Sequence, residues 1–296
     1  MPTDAVLREL LVRHLETWLP GALHRARRAT LALAYAGGDA GSAEAALRVV
    51  ARHADRLRGR QLTVLVLADG TEELPARLGA VEAELPAGVA VHLVPGGPAR
   101  LPVAVKAAGA AGAPLLSVVD DDAADPAVLT AAAIGKPADV LLATAVGTPA
   151  RAALADAGFP LTTELELVPA DGAPARLLAF ATGSDKSLEA FKEALWAVDG
   201  AAGVRYRDPA GRLLDVVAAP EPGPLRRELL AELARSGPRT VTELRRHALT
   251  ATVYRSSDAV RALTGLLDAG EATRDPEHGR LGGDVVVSAR EDGPAS

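Results

Sequence analysis

The chain has 296 residues, 49% of them apolar, and its 38 acidic side chains outnumber the 32 basic ones for a net charge of −6. That is a globular composition with room for one large core and a smaller one, and its acidic balance argues against a general polyanion binder while leaving room for a local basic patch. No cysteine is present, which excludes a disulfide framework, a thiolate nucleophile and a cysteine-based metal centre, and makes a reducing compartment, the cytoplasm, the expected location.

The chain opens on "MPTDAVLREL", which has no continuous apolar leader, and no stretch approaches the roughly 18 to 20 uncharged apolar residues of a membrane helix. Neither export nor a membrane span is expected. In "DAVLRELLVRHLETWLPGALHRARR", Leu7, Leu11, Leu15 and Leu19 stand at helical spacing, so a leading helix is predicted that stops at Pro20 and restarts ahead of the basic cluster Arg25, Arg27 and Arg28. From Thr30 the period changes. "TLALAYA", "QLTVLVLAD", "GVAVHLVP", "PLLSVVDDD" and "ADVLLATAV" are apolar runs of strand length separated by stretches able to hold helices, the pattern of a parallel sheet covered on both faces. "LTTELELVP" and "PARLLAFATGS" flank the turn sequence "ADGA" and read as an antiparallel hairpin closing that sheet. Seven strands ending in a hairpin are the architecture of S-adenosylmethionine-dependent methyltransferases, a likeness of fold and not yet of activity.

"DKSLEAFKEALWAVD" carries Leu188, Phe191, Leu195 and Val198 on one helical stripe, and the segment after it, "GAAGVRYRDPAGRLLDVVAAP", reads as irregular. The Pro/Gly cluster "PEPGP" at 220–224 is the clearest linker. Beyond it come three short amphipathic helices, the second with Thr240 and the third with Ser256 placed to cap, and then a two-stranded wing in "EATRDPEHGRLGGDVVVSA". This is a winged helix-turn-helix pattern. Residues 222–290 hold 11 arginines against 9 acidic residues, whereas residues 1–221 hold 21 basic and 27 acidic ones. The predicted organisation is a Rossmann-like α/β domain over 1–220, a basic winged helix over 221–290 and a tail at 291–296.

Taken together, "HLETWLP", "AYAGGDAGS", "LLAFATGSDKSLEAFKEALWAVD" and the closing winged-helix pattern resemble the three-Cys-motif partner proteins, methyltransferase-like domains followed by a winged helix. The resemblance runs over nearly the whole chain and implies a partner protein carrying three cysteines. Members of that family show an Asp two residues before a Phe-Ala-Gly-x-Gly loop; this chain has Leu33 there, followed by Tyr35, Ala36, Gly37, Gly38 and Asp39. Their Asp-Pro-Phe-Gly motif after the fourth strand is reduced here to Asp120 within "VVDDDAADP". What the resemblance implies is therefore a methyltransferase-like partner protein with a degenerate S-adenosylmethionine site. An active methyltransferase and a winged-helix transcription regulator are the alternatives.

Cofactor candidates are Tyr35, Gly37, Gly38 and Gly41 in the strand-to-helix turn, where free N–H groups meet an anionic group, and Asp69, placed to accept from a ribose diol. Asp120 completes the set. As plain structure, the same glycines serve a tight turn and Asp69 an Asp-Gly turn. Asp120, Asp121, Asp122 and Asp125 offer hard oxygen ligands, yet adjacent residues of an extended chain point to alternate sides, so no metal is expected and Asp125 reads as the residue opening a helix. The six histidines show no ligand spacing, no GxSxG elbow is present, and no catalytic residue is assigned. In the winged helix, Arg255, Ser257, Asp258 and Arg261 are expected on the face opposite Val260, Leu263 and Leu267, with Arg274, His278 and Arg280 in the wing. There Arg255, Ser257, Arg261, Arg274 and Arg280 are the candidates for contact with DNA, and protein docking is the other use of such a module.

Overall fold

Apolar runs buried on both faces can only be covered by helices from both sides, and the sheet of this protein is built that way. The computed structural model describes residues 2–36, 40–69, 73–198, 203–217 and 219–290. The chain divides into two compact units, Met1–Val216 and Val217–Ser296. Gly37, Gly38, Asp39 and the predicted tail lie outside the described residues.

The first unit runs α1 (Pro2–Arg25), β1 (Arg28–Tyr35), α2 (Ala40–Arg52), β2 (Gln61–Ala68), α3 (Glu73–Glu82), β3 (Val89–Pro95), α4 (Leu101–Ala107), β4 (Leu115–Asp120), α5 (Pro126–Ala132), β5 (Ala138–Ala145), α6 (Ala150–Asp156), β6 (Leu161–Pro169), β7 (Arg176–Thr182), α7 (Asp185–Ala197), β8 (Val204–Arg207) and β9 (Leu213–Leu214). The sheet order is β3-β2-β1-β4-β5-β7-β6-β8-β9, parallel from β3 through β5 and antiparallel beyond. Strands β1 and β4 are buried almost throughout, while β3 at the edge alternates between partly buried and exposed. This is a mixed α/β, Rossmann-like architecture.

The seven expected strands take the first seven places in the sheet, and two more extend it. Residues read as irregular pair instead, because Val204 and Tyr206 alternate with Arg205 and Arg207 and so present one apolar face. Tyr206 lies opposite Leu167 of β6 and donates its hydroxyl to the Leu195 carbonyl at 2.8 Å. The predicted hairpin turn is held by Asp171, whose Oδ1 accepts from Ala173 N at 3.0 Å beside Gly172 at φ 78°.

Helix α1 corrects the expectation of a stop at Pro20: it is continuous to Arg25. Proline removes one intrahelical bond, but Leu15, Trp18, Leu19, Ala22 and Leu23 on both sides of it are buried, and that burial outweighs the lost bond. α1 packs on α2 and α7, where His14 meets the stacked pair Phe180 and Phe191 edge-on. Burial pushes the His14 imidazole down to about 4, so it stays neutral in this apolar setting.

The second unit holds α8 (Gly223–Ser236), β10 (Arg239–Thr240), α9 (Val241–Ala251), α10 (Ser256–Asp268), β11 (Ala272–Asp275) and β12 (Val286–Ala289). β12 lies between β10 and β11. Part of the "PEPGP" cluster opens α8 at Gly223 rather than serving wholly as linker. Thr240 caps α9 in a reciprocal box: its Oγ1 accepts from Glu243 N at 3.2 Å, and Glu243 Oε2 accepts from Thr240 N at 2.8 Å. Among the described residues no helix is long and apolar enough to cross a membrane.

Candidate functional site

In an open wound sheet the crossovers leave in opposite directions where the strand order reverses, and a crevice forms beyond the carboxyl ends of the strands. Here the reversal falls between β1 and β4, and a cleft of about 800 Å³ lies there. Tyr35 ends β1 and Ala36 follows it in the wall, Val119 and Asp120 end β4 and Asp121 and Asp122 follow it, and Leu141 and Ala143 come from β5. The first turns of α1 supply Asp4, Arg8 and Leu11, and α2 supplies Ser42. Asp120 pairs in register with Tyr35 on one side and Ala143 on the other, so its position is fixed by both neighbouring strands.

Across this floor reaches Arg176, the first residue of β7. Its Nη2 donates to Asp120 Oδ1 at 2.5 Å and to the Ala143 carbonyl at 3.1 Å, and its Nε to the Thr144 carbonyl at 3.3 Å. Burial pushes the Asp120 carboxyl above its ordinary range; the Arg176 charge and hydrogen bond oppose this, and the nearby charges of Asp4 and Asp122 add to it. With Asp121 also on the wall, the cleft is lined by more carboxylates than guanidinium groups.

Of the cofactor candidates, Tyr35 and Asp120 are brought together in this cleft. Gly41, expected in the turn, sits in the first turn of α2 next to Ser42. Asp69 is exposed just past the end of β2 and does not line the cleft. Asp125 is the N-cap of α5, its Oδ1 accepting from Ala127 N at 2.7 Å. Sequence reasoning missed Arg176, Asp4 and Arg8. Arg176 is the one charged residue of its strand, but only the pairing of β7 with β5 turns it towards Asp120.

The segment that carries the family resemblance most specifically performs structural work. Ser184 caps α7 by accepting from Ser187 N, while the buried Asp139 at the start of β5 accepts from Thr182 Oγ1 and from Ser187 Oγ, the latter at 2.8 Å. Burial pushes Asp139 up, and hydrogen bonds from Thr182, Ser187 and the Trp18 side chain oppose it.

In the second unit the arginines singled out for DNA largely have internal partners. Asp258, expected on the exposed face of α10, is only 2% exposed. Its Oδ2 accepts from Arg255 N at 3.0 Å and Arg255 Nε at 2.9 Å, and its Oδ1 accepts from Arg255 Nη2 at 3.1 Å and from Arg261. The N-cap residue is Arg255, not Ser256; arginine has no acceptor, so Asp258 reaches back to close the first turn. Ser256 instead accepts from Arg245 Nε. The stripe facing the core is Ala259, Ala262, Leu263 and Leu266, with Val260 and Leu267 only partly buried. Arg274 bends onto its own loop, donating to the carbonyls of Pro276 at 2.9 Å and His278 at 3.1 Å. Ser257 and Arg280 are exposed.

Comparison of the chain with protein-family models finds no match, and comparison with curated proteins finds none either.

Proposed function

We propose that the chain is a methyltransferase-like partner protein that does not use S-adenosylmethionine, acting through protein contacts with a three-cysteine-motif partner. The ion pair of Arg176 with Asp120 at 2.5 Å on the cleft floor carries this reading. A nucleoside with an amino-acid tail needs a cation or free N–H groups for its carboxylate and an acceptor for its ribose diol. The guanidinium of Arg176 is engaged by Asp120 and two carbonyls, four aspartates surround the cleft, and Asp69 stands outside it. The described residues of the cleft, where carboxylates outnumber the guanidinium groups of Arg8 and Arg176, support a site that does not hold the cofactor. Calorimetric titration with S-adenosylmethionine and with its demethylated product is expected to give no binding heat. Micromolar binding of either overturns the reading, and transfer of a tritiated methyl group to nucleic acid or protein then favours an active methyltransferase.

The second unit, read as a winged helix, supports protein docking better than DNA binding. Arg255 and Arg261 are held by the buried Asp258 and Arg274 by its own loop, so three of the four candidate arginines have internal partners before any phosphate approaches. The double substitution R261A/R280A is expected to leave any binding of duplex DNA unchanged; a clear loss returns the DNA-binding regulator to first place. Co-expression with a three-cysteine-motif protein followed by gel filtration is expected to give a joint peak, and separate elution counts against the partner.

A further inference from the structure

The end of the sheet opposite the Asp120 cleft has the opposite charge. A cleft of about 710 Å³ lies at the amino ends of β1 and β2, lined by Arg27, Arg28, Arg58 and Arg60. Within residues 25–28 and 52–60 the only carboxylate is Asp55. Arg28 lies opposite Gln61 in the parallel ladder, so Arg27 and Arg28 stand one strand spacing, about 5 Å, from the chain at Arg60. Arg60 Nη1 donates to the Ala26 carbonyl at 2.9 Å and ties the two strand entries together. Arg58 pairs with Asp55 at 2.8 Å, but both side chains are more than 80% exposed, and such a pair is worth little and exchanges readily. Arg27 and Arg28 are exposed and make no ion pair among the described residues.

We propose that this end of the α/β unit binds the phosphodiester backbone of nucleic acid without regard to sequence. Guanidinium groups match phosphate oxygens in a two-pronged fashion. Among the described residues no aromatic side chain lines the cleft, so it offers no platform for stacking bases, and the contact is to backbone alone. Among the described residues the exposed large apolar ones, Val103, Val146, Leu213 and Val217, lie elsewhere and leave the patch without an apolar wedge for a membrane surface. The acidic net charge does not oppose this, because at physiological salt a charge is felt over only about 8 Å.

The test is fluorescence anisotropy of the full chain with a labelled mixed-sequence duplex of about 20 base pairs, titrated from about 50 to about 200 mM salt. The wild type is expected to bind with an affinity that falls steeply with salt. R27A/R28A/R58A, which spares the structural Arg60, is expected to bind at least about tenfold more weakly at low salt and to lose about three from the log–log salt slope, with an unchanged circular dichroism spectrum. R261A/R280A in the other unit is expected to behave as wild type. A flat wild-type titration, a triple variant with the wild-type slope, or binding to phosphatidylserine vesicles with none to the duplex overturns the proposal.

Discussion

Asp120 in the α/β unit and Asp258 in the second unit are both held by arginine, yet their carboxyls shift in opposite directions. Burial is the largest single influence on each and raises both. Asp120 receives one guanidinium bond and faces the like charges of Asp4 and Asp122, so burial prevails. Asp258 collects the side chain and backbone N–H of Arg255 together with Arg261, and these bonds jointly outweigh its burial. A buried carboxylate is stabilised by the number and geometry of its donors more than by the mere presence of an opposite charge. The first arrangement leaves a half-buried, weakly satisfied acid on a cleft floor; the second makes a rigid closure for a helix.

The largest test of this contrast is Asp258→Ala. It strips the first turn of α10 of its acceptor and leaves Arg255, 15% exposed, without its carboxylate, at an expected cost of about 3 kcal/mol in urea unfolding followed by circular dichroism. Trp18 and Trp196, the only tryptophans, lie in the other unit, so their fluorescence transition is expected to stay in place. A cost below about 1 kcal/mol breaks the comparison from this side.

Next in size is Arg176→Leu, which leaves Asp120 half-buried beside Asp4 and Asp122. A loss of about 1–2 kcal/mol at neutral pH is expected in the tryptophan transition, shrinking as the pH is lowered, because a protonated Asp120 needs no counter-charge. If the loss is the same at about pH 4, the arginine acts by packing and not by charge.

Asp120→Asn should cost under about 1 kcal/mol, since the amide oxygen still accepts from Arg176, but it should change the pH profile. The native Asp120 carboxyl holds its proton more tightly than the unfolded chain does. Its contribution is therefore intact below the ordinary 3.8 and is lost as pH rises through the raised native value. For Asp258 the order reverses: stability is present above 3.8 and lost as pH falls through the depressed native value. Asn at 120 should thus remove a loss on the alkaline side, and Asn at 258 a loss on the acid side. Equal slopes in the two variants would contradict the opposed shifts.

The smallest effect is expected from Arg261→Ala, about 0.5 kcal/mol, because that side chain is 53% exposed and Asp258 keeps its bonds from Arg255. A loss as large as that of Asp258→Ala would move the weight of the cluster onto Arg261.

Much of the fold was legible because it rests on local chemistry. The apolar runs of β1 to β5 name their own burial, "ADGA" marks a turn through Asp171 and Gly172, and Thr240, Asp125 and Ser184 each accept from a backbone N–H two or three residues on. Tyr35 and Asp120 were legible as neighbours in one cleft for a similar reason, since both end strands beside the reversal. Tertiary structure decided the rest. A proline at position 20 reads as a stop until the burial on both sides of it is known. Val204 and Tyr206 look irregular until β6 offers them a ladder.

Above all, which arginines meet which groups across the sheet was not written in their neighbours along the chain. Arg176 finds a carboxylate 56 residues away, whereas Arg58 and Arg60 come to lie beside Arg27 and Arg28, with an exposed aspartate paired, among the described residues, only to Arg58. Periodicity determines which face of an element is buried, because burial follows the repeat of the backbone. Which charges then meet depends on strand order and register, and only the folded sheet sets those.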